Sequence, residues 1–419
     1  MDRPTAELST GPDARLAVLA DGDGWRLDRS AGRVGEMSRW LVDQFADPEV
    51  SLSGNDFQLQ RWHPAPAPPP AGERPVADTS IVVGEQVMVK WLNSVTDPSA
   101  LRTAAHLSDV GFDGVPTPFG ALTWTSPDGR ELPCAFVTGF QADAVDGWTW
   151  CVAAVEAGRR PDFPAELGRL SARLHIALGS PSTLLPLPMQ AMGSAQIRRW
   201  HSDARRGLDE LAERIAELDD APAGPDGDAP THRPSTALAR YRPRLEATID
   251  RLLEVSGRTP IQLVHGDLHV GRILNSPAGL KVIGLGRNPA AGPSPDRQPA
   301  ARDVAQILVS LDQVGRIVDR RSGFTRTAEI DAWSVAARMD FLVAYRAELT
   351  EAERRDVLDV RLLPSFLVEQ ACRDLLHAVR FRPSWAYATI NGLETLLTDL
   401  ALEGRDADGS PEKKTLDVT

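Results

Sequence analysis

An α+β chain in two lobes is expected, strand-rich in its first part and mainly helical in its second. Two patterns carry that expectation. Between Thr79 and Trp91, β-branched runs flank Gly84-Glu85, the signature of paired strands. Further on, Leu167, Leu170, Leu174 and Leu178 recur at helical spacing, and long periodic segments dominate the remainder. With 419 residues, 42% of them hydrophobic, the chain can bury a core large enough for two lobes.

Taken in order, residues 1–75 read as an N-terminal cap. Arg15 to Ala20 turns at Asp21-Gly22-Asp23-Gly24 into Trp25-Arg26-Leu27, a hairpin pattern. Residues 63–72 are proline-rich, cannot continue a helix and suggest a boundary or spacer. Residues 76–150 form the strand-rich lobe, with a helix expected near Ala100 to Ser108 and further strands near Ala121 to Trp124 and Ala135 to Phe140. Residues 151–403 form the helical lobe, interrupted by a Pro-, Gly- and Asp-rich insert from Asp219 to Pro234. Within it the apolar run Ile261 to Val264 precedes His265-Gly266-Asp267, and strands are expected at Arg272 to Leu274 and Leu280 to Ile283. Residues 404–419 are polar and aperiodic, the pattern of a disordered tail.

Composition narrows the function classes. The formal net charge is −12 and the sequence pI about 5.2, with basic residues scattered, so no nucleic-acid partner is expected. No apolar run approaches the roughly 20 residues that cross a bilayer, and the polar start Met1-Asp2-Arg3-Pro4 lacks a secretory apolar region; no membrane partner and a cytoplasmic location are expected. Cys134, Cys151 and Cys372 are far apart and lack His or Cys at ligand spacing, so they read as reduced core residues.

The chemistry concentrates in two neighbouring segments, His265-Gly266-Asp267-Leu268-His269 and Ile283-Gly284-Leu285-Gly286-Arg287. The run from His265 to Leu274 resembles the His-Gly-Asp-x-His-x-Gly-Gln-x-Leu segment of actinobacterial maltokinases and glucosamine kinases. Asn288-Pro289, Arg297-Gln298-Pro299-Ala300, Asp303-Val304 and Ser310 to Arg316 resemble the glucosamine-kinase segment more closely. Gln370-Ala371-Cys372-Arg373, Ala378-Val379-Arg380 and Trp385 resemble that family's amino-sugar-binding helix. Upstream, Ile81 to Glu85 with Val89-Lys90-Trp91 resembles its hairpin and phosphate-contacting lysine, and Asp146-Gly147-Trp148 its interlobe segment. The resemblance spans about residues 76 to 390 and implies a two-lobed protein-kinase-like fold of the aminoglycoside phosphotransferase type. It further implies Asp267 and His269 as catalytic positions, Gln370, Arg373, Asp146 and Trp385 on the substrate, and Lys90 on phosphate.

The departures from that family fall on one place. In such phosphotransferases an Asp orients the acceptor hydroxyl, while magnesium held by a residue five further on and by an Asp ending the next strand neutralises the phosphates. Those positions are Arg272 and Gly284 here, and the family's second carboxylate is Gly286. A guanidinium has no acceptor and glycine no side chain, so neither serves a hard cation. Arg272 and Arg287 instead add cations beside Asp267, which suit an anion. No cofactor is therefore expected.

Blander roles stand beside the functional ones. His265 suits packing and loop hydrogen bonding, and His269 either that or lining the cleft. Lys90 ends an apolar strand where a charge can simply emerge to solvent, and the helix near Ala100 to Ser108 has no Glu to pair with it. Asp303, at a helix start, suits capping or loop anchoring. Gln370 and Arg373 share a helical face that could be merely solvated, and Trp148, Trp150 and Trp385 could be core. Gly284-Leu285-Gly286 lacks the spacing and following helix of a dinucleotide fingerprint.

Three readings follow. One is a degenerate kinase-fold protein whose cleft binds a small polyhydroxylated or amino-bearing metabolite, as a binding or regulatory protein or for metal-free chemistry around Asp267. A second is an active magnesium-ATP-dependent amino-sugar kinase using Asn288, Asp296 or Asp303 as unusual ligands. The third is an interaction protein with a protein partner, its cleft closed by Arg272 or Arg287 on Asp267.

Overall fold

Along Val87–Trp91 burial alternates, with Val87, Val89 and Trp91 in the core and Lys90 exposed on the other face. That period of two makes the segment a half-buried strand and turns Lys90 away from the apolar side. The computed structural model describes residues 4–381 apart from 12, 23, 30–32, 53–55, 68–71, 78, 96–97, 159–161, 220–233, 257 and 286–296.

The chain opens with β1 (Ala6–Ser9), β2 (Arg15–Asp21), β3 (Gly24–Arg29) and α1 (Val34–Ala46). There follow β4 (Phe57–Arg61), β5 (Glu73–Ala77), β6 (Ser80–Val83), β7 (Val87–Trp91), β8 (Ser94–Val95), α2 (Ser99–Asp109), β9 (Pro118–Thr125) and β10 (Glu131–Gly139). The expected hairpin is β2–β3, paired from Leu16↔Arg29 to Asp21↔Gly24. One sheet has the order β1-β2-β3-β8 and a second the order β4-β9-β10-β7-β6-β5. β5 carries Pro75, which cannot donate to a ladder, and accordingly lies at the sheet's edge.

Residues before and after position 75 share these sheets. β4 and β5 belong to the larger sheet and β8 closes the smaller one. Leu16, Met37 and Leu41 join Ile81, Val89 and Trp91 in one hydrophobic cluster, and the Trp91 indole donates to Ser38 Oγ of α1 at 2.9 Å. The cap is thus fused to the strand-rich lobe through a common core.

The helical lobe comprises α3 (Gly147–Glu156), α4 (Phe163–Leu178), β11 (Gln190–Met192), α5 (Ser194–Asp219), α6 (Pro234–Asp250), β12 (Thr259–Leu263), β13 (Ile273–Ser276), β14 (Gly279–Val282), β15 (Arg297–Gln298), α7 (Ala301–Arg321), α8 (Thr327–Glu351) and α9 (Leu363–Phe381). Leu167, Leu170, Leu174 and Leu178 of α4 are all buried, as their spacing requires. They enter a second cluster with residues of α5, α6, α7, α8 and α9. Leu107 of α2 also belongs there, so α2 serves the second core although it precedes β9 and β10. The free cysteines Cys134, Cys151 and Cys372 are all buried. Among the described residues no helix is long and apolar enough to cross a membrane. The insert 220–233 and the tail 404–419 lie outside the described residues.

Candidate functional site around Asp267

β12 delivers the chain into His265-Gly266-Asp267, where Gly266 adopts φ +83°, a left-handed conformation that favours glycine. The loop then needs partners for backbone groups that no ladder satisfies. α7 supplies them. Asp303, fully buried, accepts the His265 N–H at 2.7 Å and the Gly266 N–H at 2.9 Å. Gln306 Oε1 accepts from Leu268 N at 2.8 Å, and Ser310 Oγ from Val270 N at 3.0 Å. Three side chains on one face of α7 therefore hold the loop. Behind Asp303, His175 of α4 meets Oδ2 through Nε2 at 3.1 Å, and its Nδ1 lies 2.7 Å from the Tyr345 hydroxyl of α8. Burial pushes the Asp303 carboxyl up, but the His175 hydrogen bond and charge, His265 and the Gly266 N–H outweigh it, so its pKa lies below the usual aspartate value. Asp303 is an anchor of the loop, and both its oxygens are spent.

His265 is structural in the same sense. Its Nε2–H donates to the Ile283 carbonyl at 3.0 Å and its Nδ1 accepts from Asp267 N at 3.2 Å, which fixes the tautomer. Burial lowers its pKa, in keeping with a neutral ring. His269 Nδ1 accepts from Gly271 N at 3.1 Å, capping a single turn at Val270–Arg272, and Nε2 stands 3.8 Å from Asp267 Oδ2. Desolvation first, with Arg272 and His265 adding to it against the pull of Asp267, lowers His269 to about 4. At neutral pH it is a neutral imidazole, its side chain 30% exposed, with Trp148 6.0 Å away between ring centroids.

Asp267 is mostly buried, and its Oδ2 receives two N–H groups of Arg272, Nε at 3.1 Å and Nη2 closer still. Arg272 completes the turn, and the strand expected from 272 begins one residue later at Ile273. The Ile283 N–H donates to the Arg272 carbonyl at 2.8 Å, which brings Gly284 beneath the guanidinium. Gly284 has φ +74°, and a Cβ there would lie 3.2 Å from Arg272 Cδ and Nη1. Arg272 thus occupies the side-chain space that Gly284 leaves. Lys90 of β7 is near enough for Arg272 to disfavour its charge; desolvation first and that repulsion second hold its pKa below the usual lysine value. Among the described residues no group of three His, Cys, Asp or Glu side chains could hold a metal ion.

The two lobes meet beside this loop. Val145 and Asn275 exchange backbone hydrogen bonds at 2.9 and 3.0 Å. Asp146 caps α3, taking Thr149 N at 3.2 Å and Thr149 Oγ1 at 2.6 Å on its two oxygens. Gly147 lets α3 approach the loop, since a Cβ there would overlap the Val270 carbonyl. Gln370 and Arg373 lie on α9, where Arg373 Nη2 meets Glu369 at 2.6 Å and Nη1 meets Gln370 Oε1 at 3.4 Å. The same face carries Asp374, which sequence reasoning passed over although it stands one turn beyond Gln370. Its oxygens accept from Gln370 Nε2 at 2.7 Å and Gln313 Nε2 at 2.8 Å. Burial, opposed by Gln313, Arg373 and Gln370 and assisted by the Asp267 charge, raises it to about 6. Gly286, Arg287, Asn288, Asp296 and Trp385 lie outside the described residues.

No family profile matches the chain. It is 33% identical over 357 residues to a glucosamine kinase from Streptacidiphilus jiangxiensis, covering 80% of this chain and 75% of that one. It is 30% identical over 411 residues to a glucosamine kinase from Mycolicibacterium smegmatis, covering 94% and 95%. Among solved structures, crystal form B of a glucosamine kinase superposes with a TM-score of 0.76 at 30% identity, covering 96% of both chains. A glucosamine kinase in complex with glucosamine, ADP and inorganic phosphate superposes with a TM-score of 0.74 at 30% identity, covering 95% and 93%. Near-complete coverage at this identity extends the likeness beyond the loop to the whole two-lobed architecture, and the chain belongs to the glucosamine kinase family.

Proposed function

We propose that this protein binds a small amino-bearing, polyhydroxylated metabolite between Asp267 and the Gln370–Asp374 face of α9, and that it does not transfer phosphate from magnesium-ATP. The observation that carries this reading is the Arg272 guanidinium on Asp267, in the space a metal ligand at 284 would need; the same ion pair is the one expected of a closed cleft, and the 36% exposure of the Arg272 side chain, with Asp267 Oδ1 unpartnered among the described residues, supports an open one. Among the described residues the donor set does not fit magnesium: Arg272 has no acceptor, Gly284 no side chain, and both oxygens of Asp303 hold the loop. On the ligand side, Asp374 offers a carboxylate pre-oriented by two amide donors, and Asp267 Oδ1 has no hydrogen-bond partner among the described residues. Carboxylates so placed suit an ammonium and its neighbouring hydroxyls. A relative's structure with glucosamine supports an amino sugar as the ligand class.

The extensive likeness to glucosamine kinases favours a second reading, an active kinase with unusual ligands. Calorimetric titration with glucosamine and with ATP, each with and without magnesium, followed by a phosphotransfer assay, separates the two. Glucosamine binding without magnesium-dependent ATP binding or transfer is expected; turnover would overturn the proposal. Binding of neither would favour a closed cleft that serves a protein partner.

A further inference from the structure

We infer that the outer face of α8 is a self-association surface, on which a second copy of this chain packs its own α8 antiparallel about a two-fold axis at Met339. The inner face of the helix is already filled. Ile330, Ser334, Phe341 and Tyr345 are fully buried; a Cβ on Gly315 of α7 would meet Ile330, Trp333 and Ser334, and one on Gly168 of α4 would overlap the Phe341 carbonyl. A helix packed on one face is ordinarily polar on the other. Here Val335, Met339 and Val343 are instead 38%, 53% and 60% exposed, and the exposed Ala328 and Ala332 continue their line toward the N-terminus. The steps 328, 332, 335 and 339 are four, three and four residues, the spacing of a helix–helix seam. The seam is also its own complement: Val335 and Val343 flank Met339 at equal distance, so a half-turn about Met339 lays each valine on its counterpart. The charges agree with the same half-turn. Arg346, exposed and with neither hydrogen bond nor ion pair among the described residues, then faces Ala332 of the second copy, between Glu329 and Asp331. Those carboxylates each hold one arginine of their own chain, Arg326 and Arg316, and keep lone pairs for another. With helix axes about 8–10 Å apart and Cα atoms about 2.3 Å from each axis, the two Met339 Cα atoms would stand roughly 4–5 Å apart. One helix pair buries less than the about 800 Å² per partner of a standard interface, so association at about 1–100 μM is expected. The inference rests on α8 alone and is independent of the ligand reading above.

Sedimentation velocity of the full chain from about 1 to 200 μM tests the association, and a cysteine placed at the axis tests the face. A monomer–dimer equilibrium is expected, weakened about tenfold or more by Met339→Lys, which removes the central apolar contact and sets two cations against each other. Because the position is exposed, circular dichroism and the melting temperature of the dilute variant should match the parent. Arg346→Glu should weaken the dimer by about two- to fivefold, the weight of an exposed ion pair. Under mild oxidation Met339→Cys should form an intermolecular disulfide, its counterpart lying within reach across the axis. Val343→Cys should not, since its own counterpart is eight residues, about 12 Å, further along the helix. The parent supplies the blank, because Cys134, Cys151 and Cys372 are buried. A chain that stays monomeric throughout the range, a dimer indifferent to Met339→Lys, or cross-linking equal at positions 339 and 343 overturns the inference.

Discussion

Replacing Arg272 by Gln tests whether the guanidinium is built into the loop or merely rests on it. Asp267 retains 12% of its side-chain exposure and Arg272 36%, so the pair lies between two known regimes. Exposed pairs contribute about 0–1 kcal/mol, whereas deleting one partner of a buried pair costs about 3–5 kcal/mol because the other charge is stranded. Two N–H groups converge on one oxygen, and after their removal the nearest cationic candidate is His269 at 3.8 Å, neutral at pH 7 because its pKa is about 4. Arg272→Gln should therefore cost about 1–3 kcal/mol. A double-mutant cycle with Asp267→Asn in urea unfolding should give a coupling energy of about 1–2 kcal/mol. Raising salt from 50 to 500 mM should reduce that coupling only modestly, since the pair is partly shielded from solvent. Coupling below about 0.3 kcal/mol, or an Arg272→Gln protein more stable than the parent, would refute the claim that this ion pair organises the site.

Asp303→Ala should destabilise by about 3–5 kcal/mol, read from urea unfolding, because it orphans the His265 and Gly266 N–H groups and His175 together. The folded Asp303 pKa is depressed, so its contribution is present above the unfolded value of about 4 and is lost as pH falls through the lower folded value; Asp303→Ala should flatten that acid limb of the stability curve. Asp374, at about 6 in the folded protein, ionises as pH rises, so glucosamine affinity should increase roughly tenfold between pH 5 and 7. Titrations of Asp374→Asn should lose that dependence, while His269 stays neutral throughout the range. Gly284→Asp alone should crowd Arg272, whereas Arg272→Gln with Gly284→Asp removes the obstruction and places oxygen donors at both positions, the left-handed conformation at 284 being one that Asp tolerates. Magnesium-dependent ATP binding gained by the pair and by neither single variant is the expected calorimetric result.

Much of this was legible before any coordinates. The strand period at Val87–Trp91 and the leucine spacing of α4 are local patterns imposed by burial on one face, and both elements form where those patterns lie. The His265–His269 segment marked the loop, and Arg272 and Gly284 could be recognised as residues that offer no side-chain acceptor because donor inventories belong to residue types. What required the tertiary structure was every partner chosen across sequence distance. Asp303 reaches a loop 38 residues away, and His175 reaches Asp303 across 128. Arg272 closes on Asp267 because Ile283 pairs with its carbonyl and sets Gly284 beneath it. Asp374, unremarked among polar residues of a helix, acquires its raised pKa only when α9 packs against α7 and buries it beside Gln313. Periodicity and side-chain chemistry are local and can be read along a chain; hydrogen-bond partners and pKa values depend on burial and charges brought together by packing, which only the folded chain decides.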